Sequence, residues 1–564
     1  MTMSLEVKMP ELKNTDKVRN IKFFKNKCSD LATQLVAWNS ETGSIGEAEF
    51  ADKLISLIKT IPYFSQNPQN VIKTPSHGNP LTYNVLALVR GTGRDTLILA
   101  GHFDTVSIEN YHELKSLACE SEKLAYALIE TLSTKQRSEQ EECAYQDLLT
   151  GNFLPGRGML DMKSGLAAGM KCIEDFLANP DRVGNILFVA TPDEERESRG
   201  MRSLRASLSH FVKENDLDIV GAVNIDVTSD QGDGKDGRAI YAGTIGKLLP
   251  FAFVIGCSSH ASYPYEGVSA LAMGAKILSY FEANAALADK DKEDVSPSPI
   301  CLEARDLRES YEVTTPERFW LAFNWLYHSI TAETLFDRFR KAVESCVTEA
   351  IQDFKEQAEK FSAMVNKKSG ALPPKPVIMD YATLVRHAKD ITGDSFDILY
   401  KNKQAELDHI DNPLTVSRLL TDWLVNLAKV SGPMVVIGFA GLHYPSSHLD
   451  PSIRKDKNFF DAINRASEPY QNILDQVLVW KPYFQGISDM SFLGQKANKN
   501  ALIASNTPIT RLQDIPPEQS LSFPVVNIGP WGREFHQKLE RVYAPYAFNQ
   551  LPELLLRISK EILK

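Results

Sequence analysis

Positions 97–106 of the 564-residue chain read Leu-Ile-Leu-Ala-Gly-His-Phe-Asp-Thr-Val, which sets His102 and Asp104 directly behind four apolar residues. A His placed there can offer a ring nitrogen to a divalent ion, and an Asp two residues on can accept the other ring N–H, fixing the tautomer and raising the ligand's basicity. A lone His at a strand end is more often a hydrogen-bonded structural residue, so the metal reading needs acidic partners elsewhere. They are present. Glu194 and Glu195 follow the apolar run 185–190, Asp226 follows 218–225, Asp161 lies in the Gly-Arg-Gly-Met-Leu-Asp-Met-Lys-Ser-Gly run 156–165, and His536 follows Val525-Val526-Asn527-Ile528 and a Gly/Pro loop.

The elements that must position these groups are buried strands ending in loops. Residues 97–100, 185–190, 218–225 and 525–528 read as strands, and in an open α/β sheet ligands and metals collect outside the carboxyl ends of the strands. Gly101 is expected to let the chain turn sharply after the first of them. Leu166-Ala167-Ala168-Gly169-Met170 reads as a closely packed helix start. Residues 18–60 read as helical, broken by the turn at 40–47, and Tyr83–Val89 reads as another strand. A long insertion follows Val106, helical where Leu124, Ala127, Leu128 and Leu132 share a face and acidic at 139–142. Its expected role is surface decoration rather than shaping the mouth of the site.

Composition removes several function classes. A content of 43% hydrophobic and 24% charged residues is that of an ordinary globular protein, long enough for two or more domains. A net charge of −10 argues against nucleic acid or an anionic membrane as the main partner. The first eight residues carry no apolar signal core, and no apolar run approaches the ~20 residues of a spanning helix, so the expected location is cytoplasmic. Seven scattered cysteines without a C-x-x-C pair are expected to be reduced thiols.

Taken together, His102-x-Asp104, Gly-Arg-Gly-x-x-Asp161-Met-Lys, Asp193-Glu194-Glu195, Asp226 and His536-x-x-x-Glu540 resemble, in order, the motif series of the co-catalytic zinc aminoacylase/carboxypeptidase family. That family includes glutamate carboxypeptidase, acetylornithine deacetylase and succinyl-diaminopimelate desuccinylase. Within it, the extra length and the wording of 156–165 look most like an arginine-utilisation member. The resemblance implies that Asp161 bridges two Zn2+ ions (Co2+ or Mn2+ could replace them), that His102 and Asp226 complete one, and that Glu195 and His536 complete the other. Such a pair would share and activate a water, with Glu194 as the base that takes its proton. The implied substrate is a small molecule or short peptide.

The middle of the chain reads as a second domain. Tyr241–Gly246 in sequence, Tyr-Ala-Gly-Thr-Ile-Gly, marks a crossing point, and 249–256 reads as a strand. The run 259–268 resembles the family's lid motif, in which His260 would reach the active site of the partner subunit and steady the oxyanion; its bland alternative is a capped helix start. Residues 331–360 read as an amphipathic helix with Leu335, Phe336, Phe339, Val343, Cys346 and Val347 on one stripe. The pattern departs from the family here: no Asn-x-Ile-Pro signature is found, Phe323-Asn324-Trp325-Leu326 stands where an Asp-x-Arg is expected, and Asp306-Leu307-Arg308 lies earlier. Asp489 resembles a family turn and is as readily structural. His443 and His448, flanking Tyr-Pro-Ser-Ser, are expected to be solvent-exposed.

The expectation is therefore an α/β fold, a mixed-sheet zinc-peptidase catalytic domain with an inserted α+β lid and dimerisation domain. Residues 1–246 and 366–564 would form the catalytic domain and 247–365 the lid. The activity would be hydrolysis of a C–N amide bond in an N-acyl amino acid or short peptide, with a homodimer formed through the lid. The rivals are a single-metal enzyme without hydrolysis and a non-catalytic binding protein on the same fold.

Overall fold

Leu97, Ile98, Leu99 and Ala100 are all excluded from solvent, as a strand covered on both faces requires. The strand that holds them, Thr92–His102, lies inside an eight-stranded mixed sheet. The order across the sheet is Val71–Pro75, Tyr83–Val89, Val183–Thr191, Thr92–His102, Asp218–Asn224, Val525–Asn527, Arg238–Tyr241 and Leu478–Lys481. Its four inner strands, from Val183–Thr191 to Val525–Asn527, run parallel, so their carboxyl ends open at one edge. Helices Ile45–Ile58, Ser164–Leu177, Arg199–Glu214 and Arg454–Ser467 pack against the sheet.

The computed structural model describes residues 21–229, 238–291, 294–366, 373–472, 478–495 and 501–564. The stretch read for a targeting signal and residues 18–20 of the expected helical region lie outside these. Within them, no helix is long and apolar enough to cross a membrane, and all seven cysteines are free thiols. The expected helical region resolves into Lys27–Ala37 and Ile45–Ile58, the second capped by Ser44.

The turn expected at Gly101 is not made: this residue continues the strand as far as His102. A Cβ at Gly101 would lie 2.2 Å from Cε of Met162, so glycine is needed there because the Asp161 loop packs directly on the strand. Met162 Sδ in turn accepts from the His102 N–H at 3.1 Å. Gly529 works the same way on the other side of the site, since a Cβ there would meet the Asp226 carbonyl at 1.9 Å.

The chain divides into two compact units, one of residues 1–242, 449–481 and 521–564, the other of 243–448 and 482–520. The second unit is larger than the expected lid at 247–365, because 482–520 and above all the stretch 366–448 join it instead of the catalytic domain. The reason is strand pairing. Met434–Phe439 lies antiparallel beside Pro250–Ile255, and Val377–Asp380 adds to it in parallel, completing a sheet with Arg318–Tyr327 and Ile300–Asp306. Alternate residues of Pro250–Ile255 face opposite cores. Ala252 and Val254 meet helices Ala270–Phe281 and Ala332–Met364, whereas Phe251, Phe253 and Ile255 meet Tyr381, Leu384, Phe396 and Leu424. Leu335, Phe336, Phe339, Val343, Cys346 and Val347 are buried along the long helix, as its stripe requires.

Candidate metal centre

All five expected metal ligands lie in the first unit, at the carboxyl edge of the parallel strands. His102 ends its strand, Glu195 follows Val183–Thr191, Asp226 follows Asp218–Asn224, and His536 sits on the loop between the paired strands Gly532–Arg533 and Arg541–Tyr543. Asp161 stands between the two imidazoles. Its Oδ1 is 3.1 Å from His102 Nε2 and its Oδ2 is 3.1 Å from Nε2 of His536. Asp226 Oδ1 lies 3.6 Å from His102 Nε2, and Glu195 Oε1 lies 3.0 Å from His536 Nε2. His102, Asp161 and Asp226 are buried, whereas the His536 side chain is 40% exposed.

Glu194 Oε2 comes within 4.0 Å of His102 Nε2, beyond hydrogen-bond reach but at the same cluster. Asp104 links the two halves of the site. The His102 Nδ1–H faces the Asp104 carbonyl at 3.1 Å and its Oδ1 at 3.5 Å, which leaves Nε2 for the centre. The Asp104 carboxylate also accepts from the backbone N–H groups of Glu194 and Glu195, at 3.1 and 3.2 Å, and from the Thr42 hydroxyl at 2.9 Å. One side chain thus sets both the imidazole and the turn carrying the two glutamates.

That turn is built on a strained residue. Asp193 has a φ of 67°, a left-handed conformation uncommon for a non-glycine residue, and Arg199 holds its carboxylate through two guanidinium contacts of 2.6 and 2.7 Å. Glu47 and His77 come close to Asp193, with ligand atoms within 4.8 Å. Arg199 pairs with both Asp193 oxygens, which sets this trio apart from the main cluster. Burial pushes Glu47 up to about 8, helped by Asp104, and pushes His77 down to about 4.

Electrostatics at the main cluster favour a cation. Burial opposes a charge on His102, but hydrogen bonds to Asp104, Asp161 and Asp226 outweigh it and hold the ring well above its ordinary value. His536, likewise opposed by burial, is pushed up to about 11 by Asp161 and Glu195. Burial raises the carboxyls of Glu195 and Asp226. Five carboxylates, Asp104, Asp161, Glu194, Glu195 and Asp226, mostly shielded from solvent, crowd buried His102 and the more exposed His536, and such charge is costly unless compensated. Mixed nitrogen and oxygen donors around a shared carboxylate fit one or two divalent ions of the zinc type.

Supporting residues that carried no expected role complete the site. Glu540 accepts from the N–H groups of Leu160 and Asp161, at 3.2 and 3.4 Å, and pairs with buried Arg157. Asn527 bonds the Asp226 backbone, accepting from its N–H at 3.3 Å and donating to its carbonyl at 3.1 Å. Glu540 was visible as the end of a motif. Asn527 was not, because an Asn in an apolar strand shows its role only once the neighbouring strand is known.

The remaining expectations fall in the second unit. His260 is exposed on the loop before Ala270–Phe281 and accepts from the Ser262 N–H at 3.1 Å; the helix is capped by Ser269. Asp306 and Arg308 pair with each other, and Asp489 is buried in a short turn. His443 is not solvent-exposed as expected but buried, with Nε2 2.6 Å from the Tyr327 hydroxyl, because the strand before it lies inside the sheet. His448 is half-buried beside the Tyr483 ring.

The peptidase family M20/M25/M40 matches residues 98–508. The YqjN protein of Bacillus subtilis (strain 168) is 31% identical over 550 residues, covering 95% of this chain and 96% of that one. RocB of the same organism is 28% identical over 543 residues, covering 95% and 94%. The crystal structure of aminopeptidase PepT from Bacillus cereus shares the fold, with a TM-score of 0.52 at 14% identity over 95% of this chain and 98% of that one.

Proposed function

The chain belongs to the peptidase family M20/M25/M40, and from that premise we propose that it is a binuclear zinc-dependent hydrolase of a C–N amide bond in an N-acyl amino acid or short peptide. The observation that carries the reading is Asp161, whose two carboxylate oxygens each face a different imidazole. His102 and Asp226 would hold one ion, Glu195 and His536 the other, with Asp161 shared. When bound, the ions supply Lewis-acid polarisation of the scissile carbonyl and a lowered pKa for the attacking water.

The remaining work falls to the protein. Glu194 takes the proton from the water at a carboxylate oxygen and delivers it to the leaving amine. Asp104 keeps His102 and the Glu194–Glu195 turn in register through the four contacts described above. His260, on the second unit, would steady the oxyanion in the site of a partner subunit. A homodimer through this unit is supported by the Ile300–Asp306 strand, which among the described residues stands at the edge of its sheet with Ile300 and Leu302 44% and 47% exposed. A place in arginine breakdown rests on the likeness of residues 156–165 to an arginine-utilisation member.

The test is metal-dependent hydrolysis across a panel of N-acyl amino acids and dipeptides. Activity should vanish on chelation and return with about two equivalents of zinc or cobalt per chain. A purified active protein that holds no metal would refute the mechanism. A metal-loaded protein inactive on the whole panel but binding some member of it would favour a non-catalytic binding role.

A further inference from the structure

The segment after Val106, expected to be surface decoration, grips the loop that carries His536. Asn110 donates from Nδ2 to the His536 carbonyl at 2.8 Å, and its Oδ1 accepts from Arg157 at 2.9 Å. Arg157 also reaches the His536 carbonyl, at 3.3 Å, and pairs with Glu540 at the end of the same loop. From the helix Glu139–Leu149, Asp147 accepts from Arg541 at 2.7 and 2.9 Å and from Arg533 at 3.4 Å, one arginine on each strand of the hairpin. The strand Phe153–Pro155 then pairs with Arg541–Tyr543 to complete a three-stranded sheet. Leu539 packs against the segment's own core of Tyr111, Leu114, Leu124, Leu128 and Leu148.

This loop needs such a mount. His536 is the most exposed of the five cluster residues, and both it and Glu534 adopt left-handed backbone conformations, with φ values of 64° and 59°. Residues held there persist only where the surroundings over-determine them. A hairpin of two- and three-residue strands has little rigidity of its own. Groups that orient a metal ligand from behind typically set metal affinity by 10–100-fold.

We infer that residues 107–155 are a built-in mount for His536, with Asn110 as a positioning residue that sets the affinity of one metal site without touching metal or substrate. The inference rests on the reading of His536 as a ligand, and the experiment separates the two. Full-length protein stripped with a chelator is titrated with cobalt(II) alone, and the affinity of each equivalent is measured by competition with a chromophoric chelator. Asn110→Ala should weaken one equivalent by roughly 10–100-fold and leave the other unchanged. In a His536→Ala background, Asn110→Ala should have no further effect, because the group it positions is gone.

Wild-type affinity at both equivalents in Asn110→Ala, or an equal loss in both backgrounds, would overturn the inference while leaving His536 as a ligand. Undiminished affinity in His536→Ala itself would overturn the ligand assignment and the inference with it. Asp147→Asn, which keeps its size but loses the charge that holds Arg541 and Arg533, carries the same expectation should Asn110→Ala not fold.

Discussion

Glu194 and Glu195 are chain neighbours with opposite duties under the proposed mechanism. Glu195 lies 3.0 Å from His536 Nε2, in ligand position, whereas Glu194 stands 4.0 Å from His102 and is assigned the proton. The Asp104 carboxylate fixes both backbone N–H groups, so either side chain can be changed while the turn stays in place. Glu194→Gln should retain metal and lose roughly 10²–10⁴-fold in turnover, since an amide cannot accept the proton. Glu195→Gln should instead weaken metal binding. Metal analysis beside steady-state rates checks both, and identical behaviour of the two variants would refute the division of labour.

At the scale of an element, the strand Met434–Phe439 feeds a loop that buries His443 against Tyr327. Burial pushes this imidazole down to about 4, against an opposing pull from Asp514. The unfolded chain takes up a proton near the ordinary value of about 6.5 and the folded chain only near 4, so between those values the unfolded state binds more protons. Stability should therefore fall as the pH drops from about 6.5 to 4, by roughly 3 kcal/mol at most from this residue. His443→Gln keeps an acceptor for the tyrosine without titrating. Denaturant unfolding at pH 7 and pH 5 should show a smaller difference for the variant than for the wild type, and an equal difference would mean that His443 does not carry the dependence.

For the whole molecule, the proposal that His260 serves a partner's site makes activity a property of the dimer. His260→Ala should leave fold and metal intact and lower turnover by roughly 10²–10³-fold. Mixing it with Glu194→Gln should restore part of the activity, because one site in each mixed dimer receives an intact base from one chain and an intact His from the other. Demonstrated subunit exchange without recovery would place His260 outside the partner's site.

The candidate site residues were legible from local signals: His102 and Asp226 come directly after apolar runs, Glu194 and Glu195 follow another after Thr-Pro-Asp, and Asp161 and His536 stand in Gly-containing loops. Parallel strands share a carboxyl edge, so three acidic or His-bearing strand ends in one α/β chain already point to one cluster. What depends on pairing between distant residues was not legible. The stretch 366–448 joins the second unit because Met434–Phe439 is a middle strand of its sheet, a fact set by partners about 180 residues away and not by its own apolar pattern. The same pairing buries His443. Gly101 is small for Met162, and the segment 107–155 matters through Asn110 and Asp147, whose partners lie about 400 residues away. Residue type and position after a strand carry the chemistry in the linear chain, whereas the packing that holds each group in place is decided only when remote segments meet.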